Sequence, residues 1–217
     1  MSMIASRAFL DCFRFETYHP DHAQVMNMTK KLIESNAYFY PMPIVILGAV
    51  VDGKPNFLTV GYFTGISFTP PLVLAALGKG HRSNNGIREH QQFSVNMPGP
   101  DLAAVTDYVG IKSGDDVDKS KLFETFTGEL KFAPMISECP LTVSCKLFKE
   151  IEMDHFSLFI GEVVETYADE SVLTDGAPDI LKIDPMILTM PDRNYRSVGK
   201  VVGPAWTIGK DYGGKKE

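Results

Sequence analysis

Ile44-Val45-Ile46-Leu47-Gly48-Ala49-Val50-Val51-Asp52-Gly53-Lys54-Pro55-Asn56-Phe57-Leu58-Thr59-Val60 places an Asp-Gly pair between two apolar, β-branched runs. Asp-Gly tolerates the positive φ values of a tight hairpin, so the pattern predicts antiparallel strands over Ile44–Val51 and Asn56–Phe68, joined by a turn at Asp52–Pro55. Thr69-Pro70-Pro71 breaks the chain before a third run, Leu72–Gly78. Then come Lys79-Gly80-His81-Arg82-Ser83-Asn84-Asn85, a short helical pattern through His90, and a strand at Phe93–Asn96. Arg82 and Ser83 ahead of a helix start supply a charged donor, a hydroxyl and unpaired backbone N–H groups. A phosphate needs that set.

Working outward, Pro98-Gly99-Pro100-Asp101 opens an expected helix at Leu102–Val109, with Gly110 as its stop. A polar loop, Ser113-Gly114-Asp115-Asp116-Val117-Asp118-Lys119, leads to a short helix expected near Phe123. Leu141–Met153 and Phe156–Tyr167 read as long strands joined at Asp154-His155. The second is apolar on both faces, as in a closed or doubly covered sheet. A short strand is expected at Met186–Met190. Many short strands with few helices indicate a mainly β barrel or sandwich with helical insertions. Residues 1–36 form an expected extension, helical at 22–35 by the spacing of Val25, Met28 and Leu32. Met26 and Met28 offer alternative starts.

The 217 residues suffice for one domain with a sizeable core. A formal net charge of −6 argues against general nucleic-acid binding. The window 78–90 departs from this background, with Lys79, Arg82, Arg88, His81 and His90 opposed by Glu89 alone. Three scattered cysteines, Cys12, Cys139 and Cys145, are too few for a disulfide framework or zinc knuckle; Cys139 and Cys145 read as reduced core thiols, with a redox role as the alternative, and a cytoplasmic location is expected. No uncharged apolar run approaches the ~20 residues of a membrane span.

Gly78-Lys79-Gly80-His81-Arg82-Ser83 narrowly misses the dinucleotide fingerprint: Ser83 replaces the third glycine, and the preceding strands are hairpin-linked rather than βαβ. Within Asn56–Thr69, Gly61 and Gly65 lie among Thr59, Thr64, Ser67 and the aromatic Phe57, Tyr62, Phe63 and Phe68. Two readings stand open: a barrel corner, or close approach of a flat heteroaromatic ligand to the backbone. His155 suits either a surface turn or a site at the barrel rim. His19 and His22 lack a completing ligand set for a metal.

Five segments, in this order, resemble the flavin reductase-like family of FMN-binding split β-barrels, especially its flavoredoxin branch. They are Pro55–Thr64 with Ser67–Val73; Gly80–Ser83 with Ile87-Arg88; Phe93–Pro98; Ser113–Lys119; and Asp154–Val163. The resemblance runs from about Tyr40 to Ile208, within a domain expected at 37–217. It implies a Greek-key-like split barrel and a homodimer with FMN at the subunit interface. Thr59, Val60 and Gly61 would lie along the isoalloxazine ring, with Phe63 and Thr64 nearby. His81, Arg82 and Ser83 would hold the ribityl phosphate, and Asn96 and Met97 would border the flavin. His155 would orient the nicotinamide of NADH or NADPH. No metal is implied. The implied activity is electron transfer from NAD(P)H to a flavin, a metal complex or a redox protein. Two alternatives stand beside it: a flavoredoxin-type carrier with little NAD(P)H activity, and a non-redox module binding another phosphorylated ligand.

Overall fold

The computed structural model describes residues 30–210 and 212. The chain divides into two units, Met1–Ala37 and Tyr38–Glu217. Of the first unit, residues 30–37 contain neither helix nor strand. The expected helix at 22–35 is thus absent over 30–35, and its earlier part lies outside the described residues.

The second unit is built on seven antiparallel strands. They are β1 (Val45–Val51), β2 (Lys54–Val60), β3 (Phe63–Phe68), β4 (Pro71–Gly78), β5 (Gln92–Met97), β6 (Leu141–Glu152) and β7 (Phe156–Ala168). Their order across the sheet is β2-β1-β5-β6-β7-β4-β3. The Asp-Gly hairpin forms as read: Val51 pairs with Lys54, and Asp52 and Gly53 have φ values of 50° and 72°. Positive φ at both central residues is what a two-residue turn between twisted strands requires.

The run expected as one strand, Asn56–Phe68, instead divides at Gly61-Tyr62. Its halves, β2 and β3, are the two edges of the sheet. A chain crossing from Val60 to Phe63 spans at most about 10 Å, so the sheet must curl until its edges nearly meet there. Tyr62 accepts a hydrogen bond from Ala76 N across this corner (2.9 Å). The result is a split β-barrel, as the sequence led us to expect.

Alternation along the strands fills the barrel. Val45, Leu47 and Ala49 of β1, Leu58 and Val60 of β2, and Phe93, Val95 and Phe159 point inward. On the outer face, Ile46 and Phe57 pack with Val109, Phe123 and Ile136. β1 is therefore buried on both sides, which explains its unbroken apolar run.

Two helices cover the barrel, α1 (Ser83–His90) and α2 (Ala103–Ile111). Gly110, expected to stop α2, lies inside it. A Cβ there would stand 3.0 Å from Thr59 Cβ, so glycine permits close contact between helix and β2. The helix expected near Phe123 is absent, and residues 112–124 are turns and irregular chain. The strand expected at Met186–Met190 is Ile187–Thr189.

Candidate functional site

α1 is seated by Ile87, fully buried in the barrel core, and by Gly86, where a Cβ would collide with Val50 O. Its C-terminal half is tied to β6 through Arg88 and Glu150. Its N-terminus therefore has a fixed position at the end of the loop leaving β4. Asn84 Nδ2 donates to Gly78 O (2.9 Å) and pins that loop. No side chain caps the helix, and its first turn contains no acidic residue. Among the described residues Ser83 N–H has no backbone acceptor. Asn84 and Asn85 N–H are bonded to His81 O and Arg82 O, so the open donor of this uncapped start is Ser83 N–H, at the helix end that attracts anions.

His81, Arg82 and Ser83 line one cavity of about 310 Å³, with Gly114 and Lys119 opposite. Ser83 is 1% exposed, and its Oγ accepts a hydrogen bond from Asn56 Nδ2 (2.9 Å), leaving its own O–H to donate inward. Arg82 Nη1 donates to Gly114 O (2.7 Å), and Nη2 pairs with Asp52. Three of the five guanidinium N–H groups stay uncommitted. His81 has its pKa lowered, first by desolvation and then by the Lys119 charge. The lowering favours the neutral ring, which offers a hydrogen bond rather than a charge.

Lys119 is the residue the sequence reading left without a role. It is 3% exposed, and its Nζ donates to Phe57 O (2.9 Å) and Val109 O (2.8 Å). It thereby joins β2 to the carbonyl end of α2. Burial lowers its pKa to about 8. Its third N–H remains for a ligand. Asn56 was likewise read only as part of a strand.

The expected ring-contacting residues do not line this cavity. Thr59 donates its hydroxyl proton to Thr106 O and lies under α2. Gly61 faces the side chains of Met42 and Ile44. Phe63 packs against the core, Thr64 is exposed with its hydroxyl on Gly65 O, and Met97 is half-buried opposite Leu141. Two of these residues turn their side chains into the fold. Val60 points into the barrel core, so only its backbone can meet a ligand. Asn96 is fully buried: its Nδ2 donates to Ile46 O and Ser94 Oγ, and its Oδ1 accepts from Ile136 N. It braces three segments of the fold.

His155 is exposed at the β6–β7 turn, and its carbonyl accepts from Lys79 N (3.1 Å). That bond links the turn to the loop preceding α1. Cys139 and Cys145 are free and buried, and burial pushes each thiol up to about 12. Such thiols carry little thiolate and are poor nucleophiles. Among the described residues no group of His, Cys, Asp and Glu is arranged to hold a metal, and no helix is long and apolar enough to cross a membrane.

Residues 37–199 match the flavin reductase-like domain family. The fold is similar to a flavoredoxin from Methanosarcina acetivorans, with 43% identity and a TM-score of 0.83 over 85% of this chain and all of that one. It is also similar to the flavoredoxin of Desulfovibrio vulgaris (Miyazaki F), at 32% identity and a TM-score of 0.78 over 84% of this chain and all of that one. A more distant relative, an NADH-dependent FAD reductase of Streptomyces globisporus, is 25% identical over 62% of this chain and 75% of its own length. With a family match spanning most of its length and a split barrel to accompany it, this chain belongs to the flavin reductase-like family.

Proposed function

We propose that this protein is an FMN-binding redox flavoprotein whose phosphate site is the cavity at the start of α1. The supporting observation is the convergence there of His81, Arg82, the buried Ser83 hydroxyl and the Lys119 ammonium on an uncapped helix N-terminus. That set fits a phosphate ester. Charge-assisted hydrogen bonds of this kind contribute about 1.5–3 kcal/mol each, enough in combination to anchor a small cofactor.

Bound flavin supplies the two-electron redox chemistry, and the protein supplies binding and orientation. The backbone of Thr59–Gly61, with Phe63 and Thr64, is assigned to the ring. His155, joined to the phosphate loop through Lys79, is assigned to the nicotinamide of NADH or NADPH. Electrons then pass to a second flavin, a metal complex or a redox protein. A homodimer is part of this reading. β3 is a sheet edge with Ile66 46% and Phe68 97% exposed, and no charged residue occurs between Lys54 and Lys79. Edge strands of monomers are usually protected by charge, so this one suits a second copy.

The similarity to two flavoredoxins favours a second reading, an electron carrier that turns over pyridine nucleotide poorly. Anaerobic addition of NADH, then NADPH, to the FMN-loaded protein separates the two. Rapid loss of the yellow absorbance supports the reductase and names its donor. Persistent colour with either nucleotide supports the carrier.

A further inference from the structure

The strand Asn194–Arg196 pairs with Ile187–Thr189, which pairs in turn with Met42–Pro43. Its surroundings tie it down: Tyr195 Oη donates to Asp107 Oδ1 (2.9 Å), and Ser197 Oγ donates to Asp184 Oδ2 (3.3 Å). Beyond Ser197 that attachment stops. Among the described residues, every hydrogen bond made past that point lies inside the segment itself, as from Ile208 N to Pro204 O (3.0 Å). Ile208 folds back over Gly203, where a Cβ would collide with Ile208 Cδ1. The segment is thus shaped locally, yet it carries its apolar side chains in the open. Val201 is 80%, Val202 94% and Trp206 92% exposed, and Ile208 is exposed beside them. A contiguous apolar surface of this kind marks an interaction site.

We propose that residues 198–212 form an arm that packs on a second copy of this chain. It rests on the homodimer reading above and deepens it by naming the segment that crosses. The arm is rooted beside the uncharged sheet edge. Met42, two strands across from Arg196, comes within 3.4 Å of the Cβ position of Gly61, at the corner leading into β3. A segment of this length reaches up to about 50 Å when extended, enough to cross onto a neighbour docked at that edge. Its own barrel leaves the arm uncovered, and Ile66 and Phe68 of β3 stay exposed as well. Donor and receiving surfaces therefore occur on every copy, which is the condition for a self-complementary two-fold exchange. The area suffices. A tryptophan buries about 150–250 Å², and a valine or isoleucine side chain roughly 60–120 Å² by its transfer energy. Two arms with the faces that receive them then bury on the order of 1,500–2,000 Å², the size of a stable interface.

Trp206 is the single tryptophan of the chain, so its fluorescence reports on the arm alone. The test follows its emission maximum and its quenching by acrylamide in the full chain across a dilution series, with light scattering of the same samples. In the dimer the emission is expected to lie to the blue and quenching to be weak. Both move to the values of a solvent-exposed indole as dilution yields monomer. Val202→Lys, at a position exposed in the single chain, is expected to raise the dimer dissociation constant at least about tenfold and to expose Trp206 where the wild type shields it. A dimer in which Trp206 is freely quenched leaves the arm to some other protein and overturns the exchange, while the homodimer stands. Trp206 shielded in samples that scatter as monomer places the arm on its own barrel and overturns the exchange as well. So does a Val202→Lys variant that matches the wild type in both readings. Monomer at every concentration overturns the homodimer reading and the exchange with it.

Discussion

Arg88 holds Glu150 with a forked grip: Nε lies 3.1 Å from each carboxylate oxygen, and Nη2 lies 2.6 Å from Oε1. Nη2 also donates to Ser157 Oγ (3.1 Å), so one side chain ties α1 to β6 and β7. The hydrogen bond from Arg88 is the main cause of the lowered Glu150 pKa. A carboxylate depressed in this way stabilises the fold above its unfolded pKa, near 4.5, and loses that contribution as pH falls through its folded value. Glu150→Gln is therefore expected to cost about 1–2 kcal/mol at pH 7, the lower range reflecting a half-exposed partner. Denaturant melts check this, and the gap between variant and wild type should shrink below pH 4.5.

Lys119 gives a slope of the same sign in a higher pH window, here because burial disfavours its charged form. Its folded pKa, about 8, lies below its ordinary 10.5, so between these values the unfolded chain binds more protons and stability rises with pH. Phosphate binding depends on the ammonium and should weaken over the same rise. We expect FMN affinity to fall as pH increases through about 8, and Lys119→Met to weaken binding at pH 7 and flatten that dependence. Affinities measured from pH 6.5 to 9.5 decide it. A wild-type profile identical to that of the variant would remove Lys119 from the ligand's surroundings.

The edge of β3 gives a prediction about assembly. Light scattering should find a dimer for the wild type, and Ile66→Lys or Phe68→Lys should shift it toward monomer, because a lysine at an exposed sheet edge opposes pairing with another copy. A dimer untouched by both changes would place the interface elsewhere.

His155 is tested by rate. If it orients the nicotinamide, His155→Ala should slow anaerobic reduction of the FMN-loaded protein about tenfold, near 1.4 kcal/mol in the barrier. Reduction at an unchanged rate would leave the side chain without that role.

What could be read beforehand was local. Asp52-Gly53 is a turn by its own chemistry, and Arg82-Ser83 stand where a helix start was read, at the N-terminus of α1. What could not be read depends on distant partners. Gly61 left a barrel corner open as one reading of Val60-Gly61-Tyr62-Phe63; closure of the sheet is what places the corner there. Gly110 resembles a helix stop until Thr59, from another element, is set beside it. The run Asp115–Lys119 has the composition of a solvated loop, yet Lys119 is buried because Phe57 and Val109 present carbonyls to it. The hydrogen-bond partners of Asn96, Ile46 and Ile136, come from other segments of the fold and leave no local signal.

The start of α1 is assigned to the phosphate of a flavin. Riboflavin and FMN differ only in that phosphate, so their dissociation constants for the full chain, measured side by side, test it directly. With two or more charge-assisted hydrogen bonds at work, FMN should bind at least about 100-fold more tightly, and Arg82→Ala/Ser83→Ala should erase most of the difference. Equal affinities for riboflavin and FMN in the wild type would mean that the start of α1 does not bind the phosphate.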